Sequence, residues 1–168
     1  LLKVGDAVAT GVIVNAAGTS LTAITPASTV GPKSVSVSTP GGTATKATAF
    51  NYLPLPTITS VAPSAGPSTG GTPITINGTS LKGASVQVGG NPAIGTVVND
   101  AGTSIAAITP AGAPGAQGVT VTTAGGAVTK AGAFTFVPAP TISAVTPTSG
   151  PLVGGTSISI TGTNLLGA

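Results

Sequence analysis

The side chains that carry most biological chemistry are nearly missing from this chain. Its 168 residues contain no His, Cys, Glu or Arg, two acids (Asp6 and Asp100) and five lysines (Lys3, Lys33, Lys46, Lys82 and Lys130). Nucleophile systems of the Ser-His-Asp or Cys-His kind need a histidine, so they are excluded. A calcium site needs several oxygen ligands, normally with more than one carboxylate. Asp6 and Asp100 stand far apart in sequence beside turn-forming residues, and each reads as a turn residue. The glycine-rich segments Gly66 to Gly71 and Gly150 to Gly155 have the look of phosphate loops. No Gly-Lys-Ser/Thr follows them and no helix opens there, so they read as strand-switching turns needing positive φ. No catalytic residue, cofactor site or metal site is expected, and the chain is not expected to be an enzyme.

Three softer candidates remain. Tyr52, the one tyrosine, could stack on a sugar, but it lies in an alternating strand where the core face is the better place for it. Asn77-Gly78-Thr79 fits an N-glycosylation sequon; the equivalent Thr161-Gly162-Thr163 has lost the Asn, so Asn77 reads as a strand-end residue. The many Thr and Ser could carry O-linked sugars. The lysines give a sequence pI of about 9.7, yet they are scattered and form no stripe. A nucleic-acid surface needs clustered Lys or Arg, usually with stacking aromatics, so no nucleic-acid partner is expected.

The elements that would hold these residues follow from composition and pattern. Charged residues are 4% and aromatic residues 2% of the chain, against 40% hydrophobic residues. Low charge with low hydrophobicity would point to disorder, but the mean hydropathy is positive. A core must therefore come from Val, Ile, Leu and Ala. Thr favours strands, and 26 Gly with 15 Pro punctuate them. Without cysteines, neither disulfides nor thiolate metal sites can form. No apolar run approaches the roughly 18 residues of a membrane span. No signal peptide opens the chain; Leu1 begins inside a repeat, so any targeting segment is expected outside it.

That repeat organises the whole sequence. VNAAGTSLTAITPA at 14–27 recurs as VNDAGTSIAAITPA at 98–111, and the block at 56–84 recurs at 140–168, both at an offset of 84 residues. A period this long means one domain per repeat rather than one solenoid coil. Within a period, Ile74 and Ile76, Val86 and Val88, Val119 and Val121, and Phe134 and Phe136 each share a face two residues apart; Phe50 and Tyr52 are counterparts of the last pair. Turn signals at Gly70-Gly71, Gly89-Gly90, Asn99 to Gly102, Pro110 to Gly115 and Gly125-Gly126 separate these runs. About seven strands per period and no helical pattern predict an all-β sandwich with Ile74, Ile76, Val86, Val88, Val119, Val121 and Phe134 in its core.

The same residues resemble the IPT/TIG domain, the immunoglobulin-like fold shared by plexins, some transcription factors and many bacterial surface proteins. The resemblance runs from Pro56-Thr57-Ile58 through Pro63, Gly66-Pro67 and Gly70-Gly71-Thr72 to Ile74, Ile76, Gly78 and Leu81. It continues at Val88-Gly89-Gly90, Thr109-Pro110 and Phe134-Thr135-Phe136. It implies tandem immunoglobulin-like β-sandwich repeats: 1–55 as the C-terminal part of one repeat, 56–139 as a complete repeat, and 140–168 as the N-terminal part of the next. The basic loops of the DNA-binding members and the cysteines of vertebrate members are absent, which points to the bacterial or archaeal extracellular type.

The function these features imply is structural: a segment of a long extracellular or cell-surface fibre of head-to-tail domains. Phe136-Val137-Pro138-Ala139-Pro140 leaves almost no linker, and its prolines favour an extended path. Two alternatives stand beside it. One is an adhesin stalk or a protein- or glycan-binding module; the other is a set of accessory domains of a large secreted enzyme. The expected partners are neighbouring copies of the same repeat, with 140–168 completing the sandwich of 1–55 in the next copy. The expected join is Ala168 to Leu1, in phase with Ala84 to Ser85, either as continuous chain, the favoured form, or by strand donation between subunits. Closure within one chain is not expected, because an intervening sandwich would separate the two fragments by roughly 30–40 Å. Low charge also invites lateral self-association.

Overall fold

The computed structural model describes residues 1–167, so the end of the expected join at Ala168 lies outside the described residues. Every regular element among them is a β-strand. The chain divides into two units, Leu1–Leu55 with Ala124–Gly126, and Pro56–Thr123 with Ala127–Ala168.

In the first unit, β1 (Leu2–Val4), β2 (Ala7–Val8), β5 (Gly31–Thr39) and β6 (Gly42–Tyr52) form one sheet in the order β2-β1-β5-β6. The hairpin of β3 (Thr10–Val14) and β4 (Leu21–Ile24) forms a separate two-stranded sheet. The Pro40-Gly41 turn connects β5 to β6, which opens at Gly42 with φ 130°.

In the second unit, nine strands lie between Thr57 and Val137: β7 (Thr57–Ala62), β8 (Ala65–Pro67), β9 (Pro73–Thr79), β10 (Ser85–Val88), β11 (Asn91–Pro92), β12 (Ile94–Val98), β13 (Ser104–Ile108), β14 (Gly115–Thr123) and β15 (Gly126–Val137). One sheet has the order β12-β13-β9-β7 and the other β11-β10-β14-β15-β8. The two strands beyond the expected seven fit the very short β8 and β11. Strand β8 pairs parallel to β15, with Phe136 opposite Gly66. The inward residues of both sheets meet in one core. It contains all seven expected residues together with Leu81, Ile105, Ala107, Ala133 and Phe136. Alternation explains it: β9 reads exposed-buried-exposed-buried from Pro73 to Ile76, so Ile74 and Ile76 face inward while Thr75 faces out. Phe134 and Phe136 pack edge to face with ring centroids 5.0 Å apart.

Beyond Val137, β16 (Thr141–Thr146) and β17 (Ser159–Thr163) form a two-stranded antiparallel sheet. Its register repeats that of β7 and β9: Thr141 opposes Thr163 as Thr57 opposes Thr79, and both pairs join their hydroxyls, at 2.7 and 2.8 Å.

Candidate functional site: two open sheet edges

The polar residues singled out above are spread over turns and strand surfaces. Asp6 and Asp100 are both exposed in tight turns. The turn at Asp100 is held by its neighbour: Asn99 Oδ1 accepts the backbone N–H of Thr103 (2.8 Å) and of Ser104 (3.1 Å). Asn15 does the same for Thr19 and Ser20. Recurrence of Asn at this position, where Asp100 has no acidic counterpart, was the sequence signal for it. Asn77 is exposed within β9, two residues before its end, and its amide donates to Ser60 Oγ (3.1 Å). Gly70, Gly71, Gly154 and Gly155 all have φ between 79° and 83°, the conformation expected of the strand-switching turns. At Gly70 a Cβ would also lie 2.5 Å from the Pro110 carbonyl carbon, so this turn needs glycine for space as well as for φ. Among the described residues there is no group of three or more His, Cys, Asp or Glu able to hold a metal, and no helix long and apolar enough to cross a membrane.

Tyr52 is half-buried. Its hydroxyl donates to the Pro26 carbonyl at 2.6 Å and its ring meets Phe50 edge to face at 5.0 Å. The polar handle and one ring edge are thus occupied inside the first unit. Phe50 itself is 39% exposed, whereas its repeat counterpart Phe134 is 0% exposed. The expected core role of this pair is therefore only half realised in the first unit.

The reason lies in the sheets. In the complete sandwich, β13 pairs with β9 from Ser104↔Asn77 to Ile108↔Pro73. Among the described residues, β4, the repeat counterpart of β13, pairs with β3 alone, and β17, the counterpart of β9, pairs with β16 alone. Each therefore has one edge with no strand partner among them. Apolar side chains of the same two regions are also more exposed than their repeat counterparts. Ile158 and Ile160 are 54% and 45% exposed where Ile74 and Ile76 are 2% and 0%. Val35 and Val37 are half-buried where Val119 and Val121 are fully buried. An open groove of about 420 Å³ runs along the hairpin, lined by Val145, Pro147, Thr148, Ser149, Gly150, Thr156 and Ile158. The corresponding surface of the complete sandwich is filled: the ring of Phe134 lies 3.0 Å from where a Cβ of Gly66 would stand. These edges and faces escaped the sequence as sites because alternation marks what must be buried but not what is present to bury it.

The architecture is two sheets with a parallel β8–β15 closure, and the chain matches the IPT/TIG domain family over residues 56–136 and 140–168. The chain belongs to the IPT/TIG family. The match covers the complete sandwich up to Phe136, one residue short of the end of β15, and the β16–β17 hairpin. No curated protein matches the chain. Among solved structures, the IPT/TIG chain resembles the full extracellular region of plexin A4, with 24% identity and a TM-score of 0.52 over 98% of this chain and 15% of that one. SGBP-B from a complex xyloglucan utilization locus in Bacteroides uniformis is similar at 21% identity and a TM-score of 0.45, over 75% of this chain and 35% of that one. SGBP-B of a Bacteroides ovatus mixed-linkage glucan utilization locus, solved with a mixed-linkage heptasaccharide, matches at 15% identity and a TM-score of 0.35, over 84% and 39%. The IPT/TIG chain thus spans well under half the length of each of these proteins. The plexin likeness shows the immunoglobulin-like fold.

Proposed function

We propose that this IPT/TIG chain is a structural segment of an extracellular or cell-surface fibre, built from head-to-tail repeats divided at 1–55, 56–139 and 140–168. The observation that carries the reading is the register shared by successive repeats: Thr141 opposes Thr163 in the β16–β17 hairpin as Thr57 opposes Thr79 in the complete sandwich, one period earlier. The near absence of a linker at Val137-Pro138-Ala139-Pro140 supports the same reading, since prolines favour an extended path.

The chain itself has no catalytic role in this reading: its acids, Asp6 and Asp100, sit exposed on separate turns. A glycan-binding role would call for an exposed aromatic platform; Tyr52 is half-buried and tied to Pro26, which leaves the part-exposed ring of Phe50 beside it as the one such a role would have to use. Exposed Thr and Ser with very low charge favour lateral association of neighbouring fibres.

Electron microscopy of the native material tests the reading. The expected result is thin filaments with an axial repeat of roughly 30–40 Å per 84-residue period, about one strand length plus loops. Isolated globular particles under all conditions would contradict it.

A further inference from the structure

We propose that the outward face of the β12-β13-β9-β7 sheet, centred on Ile94, Val97 and Ile108, packs against the same face of a second copy of this chain. The inference rests on the fibre reading and names the surface by which neighbouring fibres meet side by side.

The patch is built inside the complete sandwich. On β13, Ile105 and Ala107 point into the core, so Ala106 and Ile108 point outward. Strand β12 pairs with it through Ile94↔Ile108 and Val97↔Ala106, and opposed residues share a face. Ile94 and Val97 stand an odd number of residues apart. They reach one face because the register shifts between them, where Gly95 has φ 62°. Ile94 is 62% exposed, Val97 65% and Ile108 39%. Ala106 and Pro73, which opposes Ile108, are exposed beside them. Strand β12 is the outermost strand of the complete sheet, so this exposure belongs to the sandwich itself. The arrangement recurs one period earlier: Thr10 opposes Ile24, Ile13 opposes Thr22, and Gly11 has φ 58°. Ile13, the counterpart of Val97, is 69% exposed. Covering these side chains removes apolar surface from water.

Charge selects this face over the other. The charged residues within strands are Lys3 in β1, Lys33 in β5, Lys46 in β6 and Lys130 in β15, and all four belong to the sheets β2-β1-β5-β6 and β11-β10-β14-β15-β8. Among the described residues no charge lies in β7, β9, β12 or β13, nor in β3, β4, β16 or β17. Like charge disfavours contact between two lysine-bearing sheets, and nothing comparable opposes contact between two neutral ones. An outermost strand is often guarded by a lysine; β12 has none. Its bulge discourages addition of a further strand, which leaves the side-chain face as the contact. The period selects the occupant. Three part-exposed side chains offer far less than the roughly 800 Å² per partner of a stable interface, so a single patch holds little by itself. Patches that recur gain by acting together, and a second array of the same repeat presents matching patches at the matching period.

Analytical ultracentrifugation of the full chain at rising concentration tests this face. The unaltered chain should self-associate reversibly. Val97→Lys combined with Ile13→Lys changes two exposed positions and should weaken association at least ~10-fold, because like charges then meet across the contact. Far-UV circular dichroism should stay unchanged. Gln87→Lys combined with Thr45→Lys adds the same charge at exposed positions of the lysine-bearing sheets and should alter association by less than ~3-fold, since exposed distant charges are screened. Val97→Glu combined with Ile13→Glu should also associate poorly alone, yet should associate with the Val97→Lys, Ile13→Lys chain when the two are mixed, because the face meets its own copy. An unaltered chain that stays monomeric up to about 1 mM, equal effects of the two lysine pairs, or no recovery in the mixture overturns the proposal. Filaments that never bundle would leave the fibre reading standing without this contact; isolated particles that do not associate would remove both.

Discussion

Phe50 and Phe134 occupy the same position of one repeat, in nearly the same local sequence, and meet opposite environments. Phe134 is covered by two sheets; Phe50 is 39% exposed beside the half-buried Tyr52. Both keep the same edge-to-face contact with the ring two residues on, at 5.0 Å in each case. The strand, its alternation and its local pairing are therefore set by nearby sequence. Burial is set by strands from elsewhere: β7, β8 and β9 for Phe134, and strands without a counterpart in residues 1–55 for Phe50. The difference between the two regions lies in which strands cover the ring and not in the local fold.

The largest contrast is expected at these two residues. Phe134→Ala should destabilise the complete sandwich by about 3–5 kcal/mol, the usual cost of emptying a buried Phe site. With aromatics at 2% of the chain, no neighbour refills the space. Phe50→Ala should cost less, about 1–2 kcal/mol, because 39% of the residue is already exposed to water. Urea unfolding followed by tryptophan-free probes such as far-UV circular dichroism measures both. A Phe134→Ala loss under about 1 kcal/mol would remove Phe134 from the core.

A smaller contrast is expected at the threonine hydroxyls. Thr109 is 1% exposed and accepts the Thr72 N–H. Thr109→Val keeps the shape but leaves that N–H without its acceptor, at a cost of about 1–3 kcal/mol. The exposed Thr25 should tolerate the same change within about 0.5 kcal/mol in the dispersed chain. Equal costs at the two sites would mean that Thr25 is already covered.

The smallest contrast should be at Asn15 and Asn99, which make matching contacts within their own turns. Replacement by Ala removes the side-chain acceptor for two backbone N–H groups, at about 1 kcal/mol at each site. Local amide exchange should rise similarly in both turns. A large effect at Asn99 alone would show that this turn depends on the surrounding sandwich and not on its own sequence.

What the sequence made legible follows the same division. The alternation of Ile74, Ile76, Val86, Val88, Val119 and Val121 gave the core because a strand with one buried face has a period of two. The turns at Gly70-Gly71 and Gly154-Gly155 were legible because few residues other than glycine accept their φ. Thr109 was less so: a Thr-Pro pair reads as a turn, and its buried hydroxyl is explained only by Thr72, 37 residues earlier. Strand β8 was hidden because an Ala-Gly-Pro segment has no strand propensity and exists through its parallel partner β15. The open edges needed both facts together, a strand pattern and the identity of its neighbour, and only the sheet order β12-β13-β9-β7 supplied the neighbour.

Amide hydrogen exchange in this segment and in a longer array of the same repeat tests the head-to-tail account most directly. Amides of β9 and β13 should be protected in both, because they pair inside one sandwich. Amides of β4 and β17 should exchange rapidly in the segment and gain protection together in the longer array, approaching that of β13 and β9. Exchange in β4 and β17 that is unchanged in the longer array would contradict the claim that successive repeats form one sandwich after another.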